Sequence, residues 1–323
     1  MEQFAYANPK NLKEALGLLG SDWNDAALLA GGTDLISLMK DYVVSPKKVV
    51  NLKGIKKLHG ITQHGSEVHI GAITTLDELT SSPVIRSQFP SLITAAMGVS
   101  SPQIRNMGTV GGDLCQRPRC WYFRGGQGLL GMKDGKSLVV DGENRHHAIF
   151  GGGPAYFVSA SSFGPALVAL DAKILISSPT ASRTVKAADF FLAPKDEKTR
   201  EIALAPNEIV TDVVIPVGST NATYEVRHKE GLDWPLVTAS IALKMSGKQV
   251  TSASVVLGHV APMPWNAAAA AQVLAGKTID ESVAEAAGVA ATQGAKPLSQ
   301  NDYKVQLVKV AVKRALLSAA GVA

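Results

Sequence analysis

Apolar positions in the first 55 residues follow two periods. Leu12, Ala15, Leu16 and Leu19 lie three and four apart, which predicts a short amphipathic helix over 11–19. The continuous apolar run Ala26 to Ala30 predicts a buried strand. It leads straight into Gly31-Gly32-Thr33-Asp34 and then into a helical stretch from Leu35 to Met39. Lys48 to Leu52 predicts a second strand, so this region reads as a small β-turn-α-β unit. Val68 to Ala72 is the next expected strand, and Thr75-Leu76-Asp77-Glu78 has the form of a capping box that opens a helix. Leu92 to Met97 predicts a further helix. Ser101 to Cys115 is polar and punctuated by glycine, which predicts a loop, and 116–153 reads as irregular.

Ala148 to Leu170 carries no charged residue and is long enough to cross a bilayer. Gly151, Gly152, Gly153, Pro154, Gly164 and Pro165 argue against a span. The segment is expected to be a buried loop followed by a strand over Ala166 to Leu170. Other strands are expected at Tyr156 to Ser159, Lys173 to Ser177, Thr184 to Ala187 and Glu208 to Pro216. Near residue 218 the pattern changes. Two strands, Ser240 to Met245 and Ser252 to His259, precede helices at Asn266 to Leu274, Asp280 to Ala291 and Tyr303 to Ala319. The last helix puts Val305, Val308, Ala311, Ala315 and Leu316 on one side, a face for docking.

A length of 323 residues fits about two domains. Charged residues make up only 18%, against roughly 25% for an average soluble chain, so extensive subunit interfaces are expected. Lys and Arg exceed Asp and Glu by 32 to 27. The densest basic patch is Lys47, Lys48, Lys53, Lys56 and Lys57. It has no interleaved aromatic residue and reads as a solvated face rather than a nucleic-acid track. The start, MEQFAYANPK, lacks the apolar core of a signal peptide.

Two glycine-rich loops carry the candidate chemistry. In Leu28-Leu29-Ala30-Gly31-Gly32-Thr33-Asp34-Leu35, glycines at a strand end allow close backbone approach, and successive amides can bind an anion. Thr33 would add a hydroxyl and Asp34 a helix cap. Asn106-Met107-Gly108-Thr109-Val110-Gly111-Gly112-Asp113 is the second such loop. Each alone is equally an ordinary turn. Together they suit a dinucleotide diphosphate, which needs donors from more than one side. Gly126-Gln127-Gly128-Leu129-Leu130-Gly131 also fits G-x-G-x-x-G, but it lacks the preceding strand and following helix that the dinucleotide fingerprint requires. Cys115 and Cys120, with His146 and His147 downstream, lack the tight spacing of a zinc site. There is no nucleophile elbow and no H-E-x-x-H motif. Arg117, Arg119 and Arg124 flank Trp121 and Tyr122 as a potential cation–π patch.

In order, the segments AGGTDL, GAITTLDEL (Gly71 to Leu79), RNMGTVGGDL (Arg105 to Leu114), VIP (Val214 to Pro216), LGHVAPMPW (Leu257 to Trp265) and DYK (Asp302 to Lys304) resemble the FAD-binding medium subunit of the xanthine dehydrogenase and carbon monoxide dehydrogenase family of molybdenum hydroxylases. The likeness runs from end to end. QRPRCWYFR (Gln116 to Arg124) and GENRHHAI (Gly142 to Ile149) are similar to the branch found in periplasmic aldehyde oxidoreductases. In that branch an insert holds a four-iron cluster on four cysteines. Only Cys115 and Cys120 stand here, so the insert is expected without its cluster.

The resemblance implies an α+β protein with an FAD-binding domain of the vanillyl-alcohol oxidase type over 1–218. That domain would comprise α/β subdomains at about 1–55 and 56–218, with the insert 116–153, followed by a C-terminal α+β domain over 219–323. It further implies that Leu28 to Leu35 wrap the diphosphate and that Gly108, Thr109, Gly111, Gly112 and Asp113 lie near the ribityl chain and phosphate. Ile70 would lie near the isoalloxazine ring and Lys229 close to the flavin. An Asp that commonly bonds the flavin's sugar chain aligns with Ser162, and Asp113 stands where Asn is usual. The implied partners are a large molybdenum subunit and a small subunit with two-iron clusters, from which electrons pass through FAD to an acceptor such as oxygen, NAD or a quinone. A structural subunit that has lost its cofactor and a stand-alone flavin reductase are the competing readings. Localisation is expected to be cytoplasmic, with co-export on a partner's twin-arginine signal as the periplasmic alternative.

Overall fold

A computed structural model of the chain describes residues 1–99, 101–229 and 233–322. The first unit is a three-stranded parallel sheet in the order Ala5–Ala7, Lys48–Asn51, Ala27–Leu29. The helix Leu12–Gly17 packs on it through Ala15 and Leu16, while the helix Leu35–Lys40 turns Leu38 toward Phe123 and Phe157. Asn11 caps the first helix, its Oδ1 accepting from the Glu14 amide. Leu16, Val50, Leu52, Ile55 and Leu58 fill the core of this unit.

The second unit is a five-stranded sheet, antiparallel throughout. Its order is Ile61–His64, Glu67–Gly71, Ile209–Pro216, Lys173–Ser177, Ser182–Lys186. Helices Leu76–Ser81, Pro83–Gln88, Pro90–Met97 and Gly164–Ala169 join its sheet residues in one core with Phe89, Phe163 and Phe190. The expected capping box forms in full: Glu78 N–H donates to Thr75 Oγ1, and Thr75 N–H donates to the Glu78 carboxylate at 2.9 Å.

The third unit is a four-stranded antiparallel sheet in the order Thr220–Val226, Val237–Ser246, Gln249–Gly258, Trp265–Asn266. Helices Ala268–Leu274, Glu281–Ala290 and Tyr303–Ala319 pack on it around Ile241, Val255, Leu257, Val308 and Leu316. The last helix docks by the face its sequence pattern presents.

Three expectations change. Ser101 to Cys115 is not a loop but two short helices, Pro102–Met107 and Val110–Cys115. Ser101 and Thr109 cap them by accepting from the amides of Ile104 and Gly112. Ala166 to Leu170 is not a strand: it belongs to the helix Gly164–Ala169, with Pro165 in its first turn. That helix is buried nearly all round, so its apolar run has no period to separate it from a buried strand. Tyr156 to Ser159 joins no ladder. It is anchored by single bonds, from the Ala148 amide to the Tyr156 carbonyl and from the Ser159 amide to the Ala261 carbonyl. The strand Thr220–Val226, which the pattern did not announce, pairs with Val237–Ser246. Among the described residues no helix is long and apolar enough to cross a membrane.

Candidate functional site

The chain leaves the first parallel sheet after Leu29 and turns sharply, with Gly32 at φ +74°. That left-handed conformation suits glycine and strains other residues. The amides of Gly31, Gly32, Thr33 and Asp34 have no acceptor among the described residues. All four residues line a cavity of about 360 Å³ between the first and second units. Consecutive amides that donate to nothing in the protein form a concavity for an anion. Leu28, Ala30 and Leu35 line the same cavity, whereas Leu29 does not. The Leu29 side chain packs under Gly32 and its carbonyl accepts from the Leu52 amide.

The second glycine loop lies directly against the first. A Cβ on Gly31 would strike the main-chain carbonyl of Met107, and one on Gly111 would press on the backbone of Ala72. Glycine is therefore required at Gly31 by contact with the other loop. The expectation that both loops offer free amides needs correction. Gly111 N–H donates to the Ala72 carbonyl at 2.7 Å, Gly112 N–H to Thr109 Oγ1 at 3.1 Å, and Asp113 N–H to the Thr109 carbonyl at 2.9 Å. The short helix Val110–Cys115 and its contact with Ala72 have consumed these donors. Thr109, Gly111 and Gly112 still form a wall of the large cavity. Gly108, Thr109, Gly112 and Asp113 also border a smaller one, of about 60 Å³, together with Thr33, Asp34, Arg119 and Trp234. The Arg119 guanidinium stacks 4.3 Å from the Trp234 ring centre at that cavity.

Asp113 is buried and held by four donors. Ser161 Oγ donates at 2.6 Å, the amides of Ser162 and Phe163 at 3.3 and 3.1 Å, and Gln116 Nε2 at 2.9 Å. Burial pushes its carboxyl up to about 6, against the pull of those donors. Ser162 therefore meets Asp113 through its backbone. It lies outside the lining of both cavities. Ile70 is enclosed in the core of the second unit and lines neither cavity, and Lys229 is exposed, also away from both linings.

Asp34 occupies the N-cap position of Leu35–Lys40 but does not cap it. Its carboxylate instead accepts from Arg124 Nη2 at 2.7 Å and from the Arg117 amide at 2.9 Å, with Arg119 Nη1 at 3.6 Å. The arginine-rich segment of the insert thus reaches back to the first glycine loop. Its cation–π contacts include Arg117 over Phe123 at 4.7 Å. Cys120 Sγ lies 3.2 Å from His147 Nε2. Burial raises the Cys120 thiol, while burial and then the Lys304 charge push His147 down to about 4. This is a neutral thiol beside a neutral imidazole, not an activated nucleophile. Burial pushes the Cys115 thiol up to about 12.

Sequence reasoning missed Trp23 and Arg200, which line the large cavity. The Arg200 guanidinium lies 4.2 Å from the Trp23 ring centre. No local pattern links two residues so distant in the chain. It also missed the anchoring of the insert to the last domain. Lys304 Nζ donates to the carbonyls of His146, His147 and His259 at 3.0, 3.2 and 2.8 Å, and Asn301 Nδ2 donates to those of Asn144 and His147. The DYK segment was the available signal.

A glycine-lined cavity between the first two units, with free amides and apolar walls, is the kind of site that takes the diphosphate of a nucleotide. Residues 2–218 match the FAD binding domain in molybdopterin dehydrogenase, and residues 222–319 match the CO dehydrogenase flavoprotein C-terminal domain. The chain belongs to this family of FAD-binding medium subunits of molybdenum hydroxylases. It is 30% identical to the carbon monoxide dehydrogenase medium chain of Hydrogenophaga pseudoflava, covering 98% of this chain and 97% of that one. Identity to the aldehyde oxidoreductase FAD-binding subunit PaoB of Escherichia coli is 29%, over 96% of each chain. The fold superposes on a chain of quinoline 2-oxidoreductase from Pseudomonas putida 86 with a TM-score of 0.78 and 27% identity, covering 99% and 98% of the two chains.

Proposed function

We propose that the chain binds FAD and serves as the electron-transfer subunit of a molybdenum hydroxylase complex. The observation that carries this reading is the row of four free amides, Gly31 to Asp34, at the wall of the large cavity. The residues present fit the cofactor. The amides would hold the diphosphate, and the apolar wall from Ala72, Ile73 and Ile209 would enclose the adenosine half. The smaller cavity, bounded by Thr109, Arg119 and Trp234, would lead toward the flavin half. When bound, FAD would supply the redox chemistry, taking electrons from two-iron clusters on a small subunit and delivering them to an external acceptor. This chain's residues would bind and orient the cofactor. A large subunit carrying the molybdenum cofactor would select the substrate, an aldehyde or a heterocycle.

The arginine-rich insert favours the aldehyde oxidoreductase branch within the family. With Cys115 just before it and Cys120 inside it as the chain's only two thiols, the insert would stand without a four-iron cluster. The bonds from Asn301 and Lys304 and the Asp34–Arg124 pair would hold it in place of metal.

The test is an absorbance spectrum of the purified chain with identification of the released cofactor. Flavin bands and close to one FAD per chain are expected, without a broad iron–sulfur absorption. A colourless protein that stays empty on addition of FAD would overturn the reading in favour of a structural subunit. An iron signal would overturn the statement about the insert alone.

A further inference from the structure

Arg117 and Arg200 meet at Glu201, and both line the large cavity. Arg117 Nε lies 2.5 Å from Glu201 Oε1 without hydrogen-bond alignment, and Arg200 Nε is 3.6 Å from Glu201 Oε2. Two guanidiniums therefore share one carboxylate. The two acids that line the cavity are taken: Asp34 is held by Arg124 at 2.7 Å and Glu208 by Arg183 at 2.7 Å. Arg200 is largely enclosed, with 16% of its side chain exposed, and its Nε–H has no hydrogen-bond acceptor among the described residues. The flat face of its guanidinium rests on Trp23, which fixes its plane and leaves its edge donors for a partner. A buried guanidinium normally has its donors paired, because an unpaired buried cation is costly. Burial first, and then the Arg117 charge, push Arg200 down to about 10, against the pull of Glu201. Among the described residues, these two arginines thus have one carboxylate between them, at the same cavity as the free amides of Gly31 to Asp34.

We propose that Arg117 and Arg200, held in place by Glu201 and Trp23, form the second wall of the anion site and grip the ligand's diphosphate together with those amides. The inference rests on the FAD reading and deepens it. It supplies the second side that a diphosphate requires and that the amides of the Gly111-Gly112 loop, bonded within the protein, do not supply. The two arginines come from the insert and from the segment before Ile202, so the insert contributes directly to cofactor binding.

The experiment titrates ADP and, separately, adenosine into the flavin-stripped chain by calorimetry, at low and high salt. The variants are Arg200→Gln and, independently, Arg117→Gln. Wild-type protein is expected to bind ADP well above adenosine, with a preference that weakens in salt. Either variant should lower ADP affinity by about ten- to a hundredfold, the range for a lost hydrogen bond to a charged group. Adenosine affinity should change less than about twofold, since a contact made to phosphate alone contributes nothing to a ligand without one. Unchanged ADP affinity in both variants overturns the proposal, as does a parallel loss of ADP and adenosine, which marks a structural role. If one variant fails to fold by circular dichroism, the other decides. A wild-type chain that binds FAD but does not prefer ADP over adenosine overturns this inference alone. One that binds neither FAD nor ADP overturns the FAD reading with it.

Discussion

Asp34, in the first glycine loop, is bonded to Arg124, in the insert, at 2.7 Å, with both side chains mostly enclosed. The loop that offers its amides to the cavity is thereby clamped by a segment some ninety residues later. Replacing Asp34 with Asn, or Arg124 with Met, should destabilise the chain by about 1.5–3 kcal/mol each, the range for hydrogen bonds to charged groups. The double variant should cost less than the sum, because each single change strands a partner. Denaturant titration of the four proteins measures this coupling; additive losses would show that the pair is not the clamp.

Gly31 faces the Met107 carbonyl with no room for a side chain. Gly31→Ala should separate the two loops, lowering stability by about 1–3 kcal/mol as overpacking does and emptying the flavin site. The ratio of flavin to protein absorbance after purification reads the second effect. Full flavin content in the variant would mean that the loops need not touch for binding.

Asp113 and Ser162 depart together from the pattern the resemblance implies, and the structure shows them as neighbours: the Ser162 amide donates to Asp113. Ser162→Asp alone would place a second carboxylate beside a buried one and should lower the melting temperature. Combined with Asp113→Asn it should recover most of the loss. Burial has already raised Asp113 to about 6, above its ordinary 3.8, so the folded chain holds this proton more tightly than the unfolded chain. Its contribution to stability is present below pH 3.8 and is lost as pH rises through about 6. Ser162→Asp should therefore be most harmful above pH 6, which thermal melts across pH would reveal.

His259 is buried. It is bonded to Thr238 through Nδ1 at 3.0 Å, and burial, followed by the Lys304 charge, pushes it down to about 3. His147 is lowered to about 4, again chiefly by burial. For a group depressed in the folded state, the unfolded chain binds the extra proton. The stability these two sites contribute is thus present above pH 6.5 and is lost as pH falls toward 3–4. The melting temperature should drop across that window, and His259→Gln should flatten the drop. An identical acid limb in the variant would assign the transition elsewhere.

Lys304 gives its ammonium to three carbonyls, two from the insert and one from His259. Lys304→Met keeps the volume but leaves the carbonyls of His146 and His259 without their donor, while that of His147 keeps Asn301. It should cost about 2–4 kcal/mol, taking more than one unsatisfied group at about 1–3 kcal/mol each. Hydrogen exchange over 142–150 should accelerate more than exchange in the strand Val237–Ser246. Uniform acceleration would mean that Lys304 supports the whole domain rather than the insert.

Local chemistry was legible in the chain itself. The capping box at Thr75 and Glu78, the turn that needs a left-handed residue at Gly32, and the docking face of the final helix depend on residues a few positions apart. The presence of two glycine-rich loops pointed to a dinucleotide site before any contact was known. Tertiary structure decided what local pattern could not. Ala166 to Leu170 is a helix because it is enclosed on nearly every side, which erases the period that separates helix from strand. The Gly111-Gly112 loop lost its free amides to its own short helix and to Ala72. Asp34 left its cap for an arginine in the insert. Arg200 reached the cavity wall beside Trp23 through the packing of separate units. Each of these outcomes depends on which distant groups compete for a donor, an acceptor or a buried volume, and that competition exists only once the chain has folded.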